Sequence, residues 1–181
     1  TPALLEGEEG IRRLAHLVRG YFRLDGHHVQ FNVVRAETLR AALRALPALG
    51  FAGCNLTIPH KEAALGMVDR VDPLAHRIGA MNCVVVAPDG SLEGQNHDAF
   101  GYIESIREAQ PGWRADAGPI VVIGAGGGAR AVLVGLIDQG AREIRLINRT
   151  PARAQALERE LGGPLRALPW ERVQGVVLGH L

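Results

Sequence analysis

Apolar positions along the chain fall into short runs whose period switches between the two of a strand and the three-to-four of a helix. HVQFNVV (28–34) is β-branched and aromatic and predicts a strand. In AETLRAALRAL (36–46), Leu39, Leu43 and Leu46 share one helical face, and the helix is expected to end before Pro47. FAGCNLTI (51–58) predicts a buried strand. Pro59 then suits the first turn of a helix expected to reach about Arg70. DPLAHRIGA predicts a short helix stopped by glycine, NCVVVA (82–87) a strand closed by the turn PDGS, and residues 98–109 a further helix. Residues 1–20 are weakly patterned and fit either a frayed leader or a short amphipathic helix.

QPGWRADAG (110–118), rich in Pro, Gly and Ala, is the expected domain boundary, which gives one lobe over 1–110 and a second over 117–181. Beyond it, GPIVVIGAGGGARAVLVGLIDQGAREIRLINRT spells strand, glycine turn, helix and strand. Strands and helices alternate throughout, so the expected class is α/β with mainly parallel sheet. The apolar run 120–137 is about as long as a membrane span. Its β-branched start, five glycines and Arg130 fit a strand, a turn and a core helix better.

Composition narrows the classes. The 181 residues are 47% hydrophobic and 22% charged, as in ordinary globular proteins. Twenty basic residues nearly cancel 19 acidic ones, which argues against a nucleic-acid or anionic-membrane surface. Two cysteines, Cys54 and Cys83, cannot build a disulfide framework or a zinc site of the usual spacing, and they fit a reducing cytoplasm. No pair among the seven histidines has ligand spacing beside a third ligand, so no metal is expected. The start lacks a signal-peptide pattern and an initiator Met, which suggests a piece of a longer chain. Nineteen of the 20 basic residues are arginine, and Lys61 is the one lysine. Arginine stays protonated, whereas a lysine in a suitable environment can carry a proton to and from a substrate.

Gly124, Gly126 and Ala129 fit the G-x-G-x-x-G/A pattern of a dinucleotide site, directly after IVVI and at the start of a helical stretch. The glycines permit a tight turn and close approach of the backbone to a pyrophosphate, which the helix N-terminus attracts. An acidic residue ending the next strand would favour NAD. Here EIRLI runs into Asn148, Arg149 and Thr150, with Glu143 at the wrong end. Arginine and threonine at that place suit a 2′-phosphate, and so NADP. Arg153, one turn into the next helix, either adds positive charge or simply faces solvent.

In the first half, three short stretches concentrate polar residues in apolar surroundings: 55–61, 79–82 and 94–98. They hold three of the five asparagines, Asn55, Asn82 and Asn96, with Thr57, Lys61 and Asp98. Such residues at strand ends can satisfy a polyhydroxylated small molecule. They also serve turns and caps, and Thr57 could simply cap the helix beginning at Pro59.

With NLTIPHK (55–61), IGAMN (78–82), GQNHDAFGY (94–102), GAGGGARAV (124–132) and NRT (148–150) in this order and spacing, residues 37–170 resemble the shikimate 5-dehydrogenase family. The resemblance implies an open α/β substrate lobe followed by a partial Rossmann lobe. It also implies NADP-dependent interconversion of 3-dehydroshikimate and shikimate in aromatic amino-acid biosynthesis. Thr57, Lys61, Asn82 and Asp98 fall on the family's substrate positions, with Asn55 and Asn96 beside them. Gly124, Ala125, Gly126, Gly127, Gly128, Asn148, Arg149, Thr150 and Arg153 fall on or beside the cofactor positions. Lys61 and Asp98 are the expected proton-transfer pair. Small molecules are the expected partners, and the assembly is left open, with a homodimer as one option.

The sequence departs from the family in several places. No serine precedes Ser91, so the N-terminal serine pair that grips the substrate carboxylate is missing, and Arg12, Arg19 and Arg23 are the nearest cations by sequence. His97 stands where the family usually has Thr, Leu56 where Val is common and Ala99 where Gly is common. The cofactor lobe stops early, which predicts uncovered sheet edges and poor stability or association. Two alternatives stay open: a quinate/shikimate dehydrogenase with relaxed cofactor use, and a non-catalytic nucleotide-binding remnant. The segment YFRLDGHHVQFNVVRAETL is also similar to the stretch before the radical glycine of glycyl radical enzymes.

Overall fold

The computed structural model describes residues 20–24, 27–31, 36–173 and 175. The chain gathers into two compact units that meet in sequence at His97 and Asp98.

The first unit opens with β1 (Gly20–Leu24) and β2 (His27–Phe31) and continues into helix α1 (Ala36–Ala45). The leucine stripe behaves as its spacing predicts: Leu39, Leu43 and Leu46 are 0%, 1% and 0% exposed. Each such burial contributes about 1.5–3 kcal/mol. β3 (Gly53–Asn55) follows, then α2 (His60–Ala63), which passes into a 3-10 turn over Ala64–Met67. Next come β4 (Arg70–Val71), α3 (Pro73–Ile78), and the strands β5 (Cys83–Val86) and β6 (Leu92–Gln95).

The helix expected from Pro59 to Arg70 is therefore much shorter. Val68 is extended at φ −108°, ψ 169°, and β4 starts two residues later. The strand expected over 51–58 forms only at 53–55. Helix α3 forms as expected and Gly79 ends it at φ 71°; at its start the Asp72 carboxylate accepts the Leu74 and Ala75 N–H groups.

Six strands form one sheet in the order β2-β1-β3-β5-β6-β4. All its pairings are antiparallel except β4 with β6, which corrects the expectation of mainly parallel sheet for this half. The physical reason for β5 and β6 is the turn PDGS. Gly90 adopts φ 80° there, and the Asp89 carboxylate accepts from the backbone and hydroxyl of Ser91, so the chain folds straight back as a hairpin. Beneath the sheet, α1 is tied to the β4 end by Arg44, whose guanidinium donates to Asp69 at 2.6 Å, while Leu92 N–H donates to the same carboxylate at 2.8 Å.

The second unit contains α4 (Asp98–Ala109), β7 (Ile120–Ile123), α5 (Gly127–Asp138), β8 (Ile144–Ile147), α6 (Pro151–Leu161), β9 (Leu165–Leu168) and a 3-10 turn at Trp170–Arg172. Its sheet, β7-β8-β9, is parallel throughout, as a strand–helix–strand alternation requires. The linker expected over 110–118 lies inside this unit. Helix α4 packs on α5 closely enough that a side chain at Gly135 would press on Ile103 and the Ala99 carbonyl. The apolar run 120–137 divides into β7, a glycine loop and α5, and no helix among the described residues is long and apolar enough to cross a membrane. Ile144, Leu146 and Ile147 of β8 are fully buried, whereas Val121 and Ile123 on one face of β7 stay exposed.

Candidate functional site

The three polar stretches, all in the first unit except Asp98, meet at one end of its sheet. Asn55 is the last residue of β3 and pairs with Cys83, the first of β5; Cys83 in turn pairs with Gln95, the last of β6. Antiparallel pairing thus places the exit of β3, the entry of β5 and the exit of β6 in a single row. Backbone hydrogen bonds then lock the flanking loops together. Leu56 N–H donates to Asn82 O at 2.7 Å, Met81 N–H to Lys61 O at 2.9 Å, and Asn82 N–H to Gln95 O at 3.0 Å. The Asn82 side chain completes the set by accepting the His97 N–H at Oδ1, at 2.9 Å.

Within this assembly Asn55 and Thr57 are exposed, and Lys61 and Asn82 are half-buried. Thr57 does not cap α2 with its side chain; Pro59 occupies the cap position, and only the Thr57 carbonyl serves the helix, accepting from His60 N–H at 2.9 Å. The Ile58–Pro59 peptide bond is cis. Asp98 opens α4 directly after His97. Asn96, expected to touch substrate, is 3% exposed, with its side-chain amide donating to the Ala80 carbonyl at 2.9 Å. It stands behind the loop rather than on its outer side.

The His97 ring, where the family usually has Thr, is exposed and bonds the Gln95 side chain at 3.1 Å; Gln95 reaches Glu93 at 2.9 Å. Burial pushes the Cys54 thiol up to about 12, with Cys83 adding to the shift, and burial raises Cys83 as well. Both are free thiols. Arg12 and Arg19, named as cations for a carboxylate, lie outside the described residues. Arg23 is in β1.

In the second unit the glycine loop joins β7 to α5. Gly124 has φ 114°, a conformation that side chains rarely adopt, and its N–H donates to Ile147 O at 2.8 Å, which fixes the loop to the end of β8. Gly126 caps α5 in an extended conformation. A Cβ added at Gly126 or Gly128 would meet nothing within 4 Å, so neither glycine is demanded by packing within the chain. The space they leave, in front of a twelve-residue helix N-terminus, is of the kind a pyrophosphate fills. Ala125 and Gly127 are buried and hold the turn against the sheet.

At the end of β8, the Asn148 side chain donates to Thr150 O at 2.8 Å and shapes the turn into α6, leaving Arg149, Thr150 and Arg153 exposed. These residues fit a nucleotide carrying a 2′-phosphate. Among the described residues no cluster of His, Cys, Asp or Glu could hold a metal ion.

One positioning contact was not anticipated. Arg130, in the first turns of α5, makes a two-pronged ion pair with Glu160 of α6 at 2.7 and 2.8 Å, and this pair holds the Glu160 carboxyl below its usual range. Its signal in the sequence was a lone charge inside an otherwise apolar run.

Residues 16–84 match the family model for the shikimate dehydrogenase substrate binding domain, and residues 109–177 match that for shikimate / quinate 5-dehydrogenase. The first match starts well before residue 37. It takes in the stretch compared with glycyl radical enzymes, and that comparison is not upheld. A shikimate dehydrogenase (NADP(+)) of Paramagnetospirillum magneticum is 50% identical over 154 residues, which are 84% of this chain and 55% of the relative. One from Dinoroseobacter shibae is 42% identical over 168 residues, 91% of this chain and 60% of the relative.

The crystal structure of shikimate 5-dehydrogenase from Thermus thermophilus with NADP(H) and shikimate superposes with a TM-score of 0.66 at 42% identity. It covers 77% of this chain and 50% of that one. Quinate dehydrogenase from Corynebacterium glutamicum in complex with NAD gives 0.68 at 31% identity, over 77% of this chain and 50% of that one. The chain spans 50–60% of the length of these relatives. With both family models matched in order, and the motifs of each standing at the sheet ends just described, the chain belongs to the shikimate dehydrogenase family.

Proposed function

We propose that the protein works as an NADP-dependent oxidoreductase that interconverts 3-dehydroshikimate and shikimate. The observation that carries this reading is the row Asn55–Cys83–Gln95. It gathers three separate polar stretches at one sheet end, with Thr57 spared from capping. Thr57, Asn55 and Asn82 supply the side chains that hold substrate hydroxyls, which lose hydration on binding and need partners in return.

Lys61 and Asp98 are the groups we assign to proton transfer. As the alcohol is oxidised, the hydroxyl proton leaves to this pair while the hydrogen on the same carbon departs with its electron pair; the reverse reaction returns both. Gly124, Gly126, Gly127 and Gly128 would cradle the pyrophosphate of the nucleotide, and Asn148, Arg149, Thr150 and Arg153 its 2′-phosphorylated ribose. When bound, the nicotinamide supplies the acceptor for that hydride. Rossmann-type sites place the pyrophosphate at such a glycine turn because the first N–H groups of the helix lack internal partners. The setting we infer is the cytoplasm, in keeping with two free thiols, and a homodimer is the assembly to test.

The experiment is reduction of NADP⁺ by shikimate, followed by NADPH absorbance, beside quinate and beside NAD⁺. Turnover with shikimate and NADP⁺ is expected. Faster turnover with quinate or NAD⁺ would move the protein to the quinate branch of the family. A folded sample that turns over none of these and binds only nucleotide would identify a binding protein.

A further inference from the structure

We infer that Asn96 is a positioning residue that acts on substrate through Asn82, an assignment that rests on the function proposed above. Strand β6 alternates strictly, with Leu92 and Gly94 inward and Glu93 and Gln95 outward, and Asn96 continues the inward phase. A carboxamide in that direction leaves water, which is unfavourable unless it is hydrogen-bonded. Only His60 and Asn96 are fully buried polar side chains among the described residues.

The Asn96 amide donates to Ala80 O, the first carbonyl after the left-handed glycine that ends α3. Ala80 and Met81 are themselves fully buried, so this bond sets the path of the chain from α3 into Asn82. The return contact comes from Asn82, whose Oδ1 accepts the N–H of His97, the residue after Asn96. Two asparagines thus brace two loops reciprocally, each side chain bonding a backbone group in the other's loop, Ala80 O for Asn96 and the His97 N–H for Asn82. One consequence is that the Asn82 carboxamide is oriented: with Oδ1 turned to His97, its Nδ2 edge is directed elsewhere. Another is that the residue before Asp98 is fixed by an atom of a substrate-binding side chain.

The test uses Asn96→Asp, which keeps shape and removes the donor, with Asn96→Ser as a variant that retains a donor should the first fail to fold. Shikimate affinity is measured by calorimetry in the wild type, in each variant, in Asn82→Ala and in the double variants. Asn96→Asp is expected to weaken shikimate binding about tenfold, the scale of one lost buried hydrogen bond. The effect should disappear in the Asn82→Ala background. Equal losses in both backgrounds would mean that Asn96 touches substrate itself, and a lowered melting temperature with unchanged affinity would mean plain structural support; either overturns the assignment.

Hydrogen exchange at the His97 amide needs no ligand and separates this inference from the functional one. Faster exchange in the Asn96 variants supports the brace even if the wild type binds no shikimate, and unchanged exchange refutes it.

Discussion

The two units present their candidate ligand-binding groups in opposite ways. In the first, an antiparallel sheet brings side chains from three loops into one row, and the backbone between them is used up in cross-links such as Leu56 to Asn82 and Met81 to Lys61. The second offers mainly backbone: a glycine turn at the end of a parallel strand, open in front of a helix N-terminus, with side chains entering only at Asn148 to Arg153. Recognition of a small polyol depends on matching each hydroxyl with its own partner, which side chains do. A pyrophosphate is a compact anion and is met well enough by N–H groups and space. Substitutions that remove side-chain atoms should therefore damage the first unit, whereas at the glycine turn of the second it is added atoms that should do the damage.

The sharpest contrast comes from Lys61→Ala. Loss of a proton-transfer group is expected to lower turnover about 10²–10⁴-fold with a smaller change in shikimate affinity. Steady-state kinetics check this, and a variant with near wild-type turnover would remove Lys61 from the chemistry. Arg149→Ala should weaken NADP⁺ binding about 10–100-fold, the range of one charge-assisted hydrogen bond, while leaving NAD⁺ binding alone. If both nucleotides weakened together, Arg149 would be gripping something other than the 2′-phosphate.

Gly126→Val adds atoms where the chain has none within 4 Å, at φ −103° and ψ −177°, which any residue adopts. It is expected to weaken nucleotide binding at least about tenfold with little change in thermal midpoint. A large drop in the midpoint instead would make the glycine a matter of folding.

The smallest effect is electrostatic. Asp69 in the first unit is held below the usual Asp range by its hydrogen bond from Arg44, then by Leu92 N–H, and Glu160 in the second by Arg130. A carboxyl lowered in the folded state stabilises above its unfolded pKa and loses that contribution as pH falls through the folded value. Stability should therefore decline below about pH 4. Asp69→Asn and Glu160→Gln should each flatten the acid limb, a result read from thermal midpoints across pH; an unchanged limb in either would show that its ion pair is too well screened to matter.

Elements whose signals are local were legible in the sequence. Helix α1 declared itself by its leucine stripe, α3 by its glycine stop at Gly79, and α4 began and ended where its pattern did. The β7–α5–β8 unit was legible because a parallel pair needs a crossover helix and the glycines mark its entry. What escaped depends on pairing between distant segments. Strand β4 is two residues long and exists through its partner β6, and the antiparallel order around β3 and β5 is not written in either strand alone.

Site residues divided in the same way. Thr57, Lys61 and Asn82 came from motif, and the structure brings their segments together. The inward turn of Asn96 follows from the phase of β6, a strand the pattern did not announce. Arg130 was visible as an odd charge, but its partner Glu160 lies thirty residues away in the chain.

The row Asn55–Cys83–Gln95 also sets what lengths the chain can tolerate. Because strand side chains alternate, one residue inserted within Cys83–Val86 would turn the strand over relative to both neighbours and exchange its buried face for its open one. The same insertion at the tip between Ala87 and Ser91, at the far end of the hairpin, would change only a loop. Length variation among functional versions of this domain is thus expected to collect at that tip and to be absent from the strands.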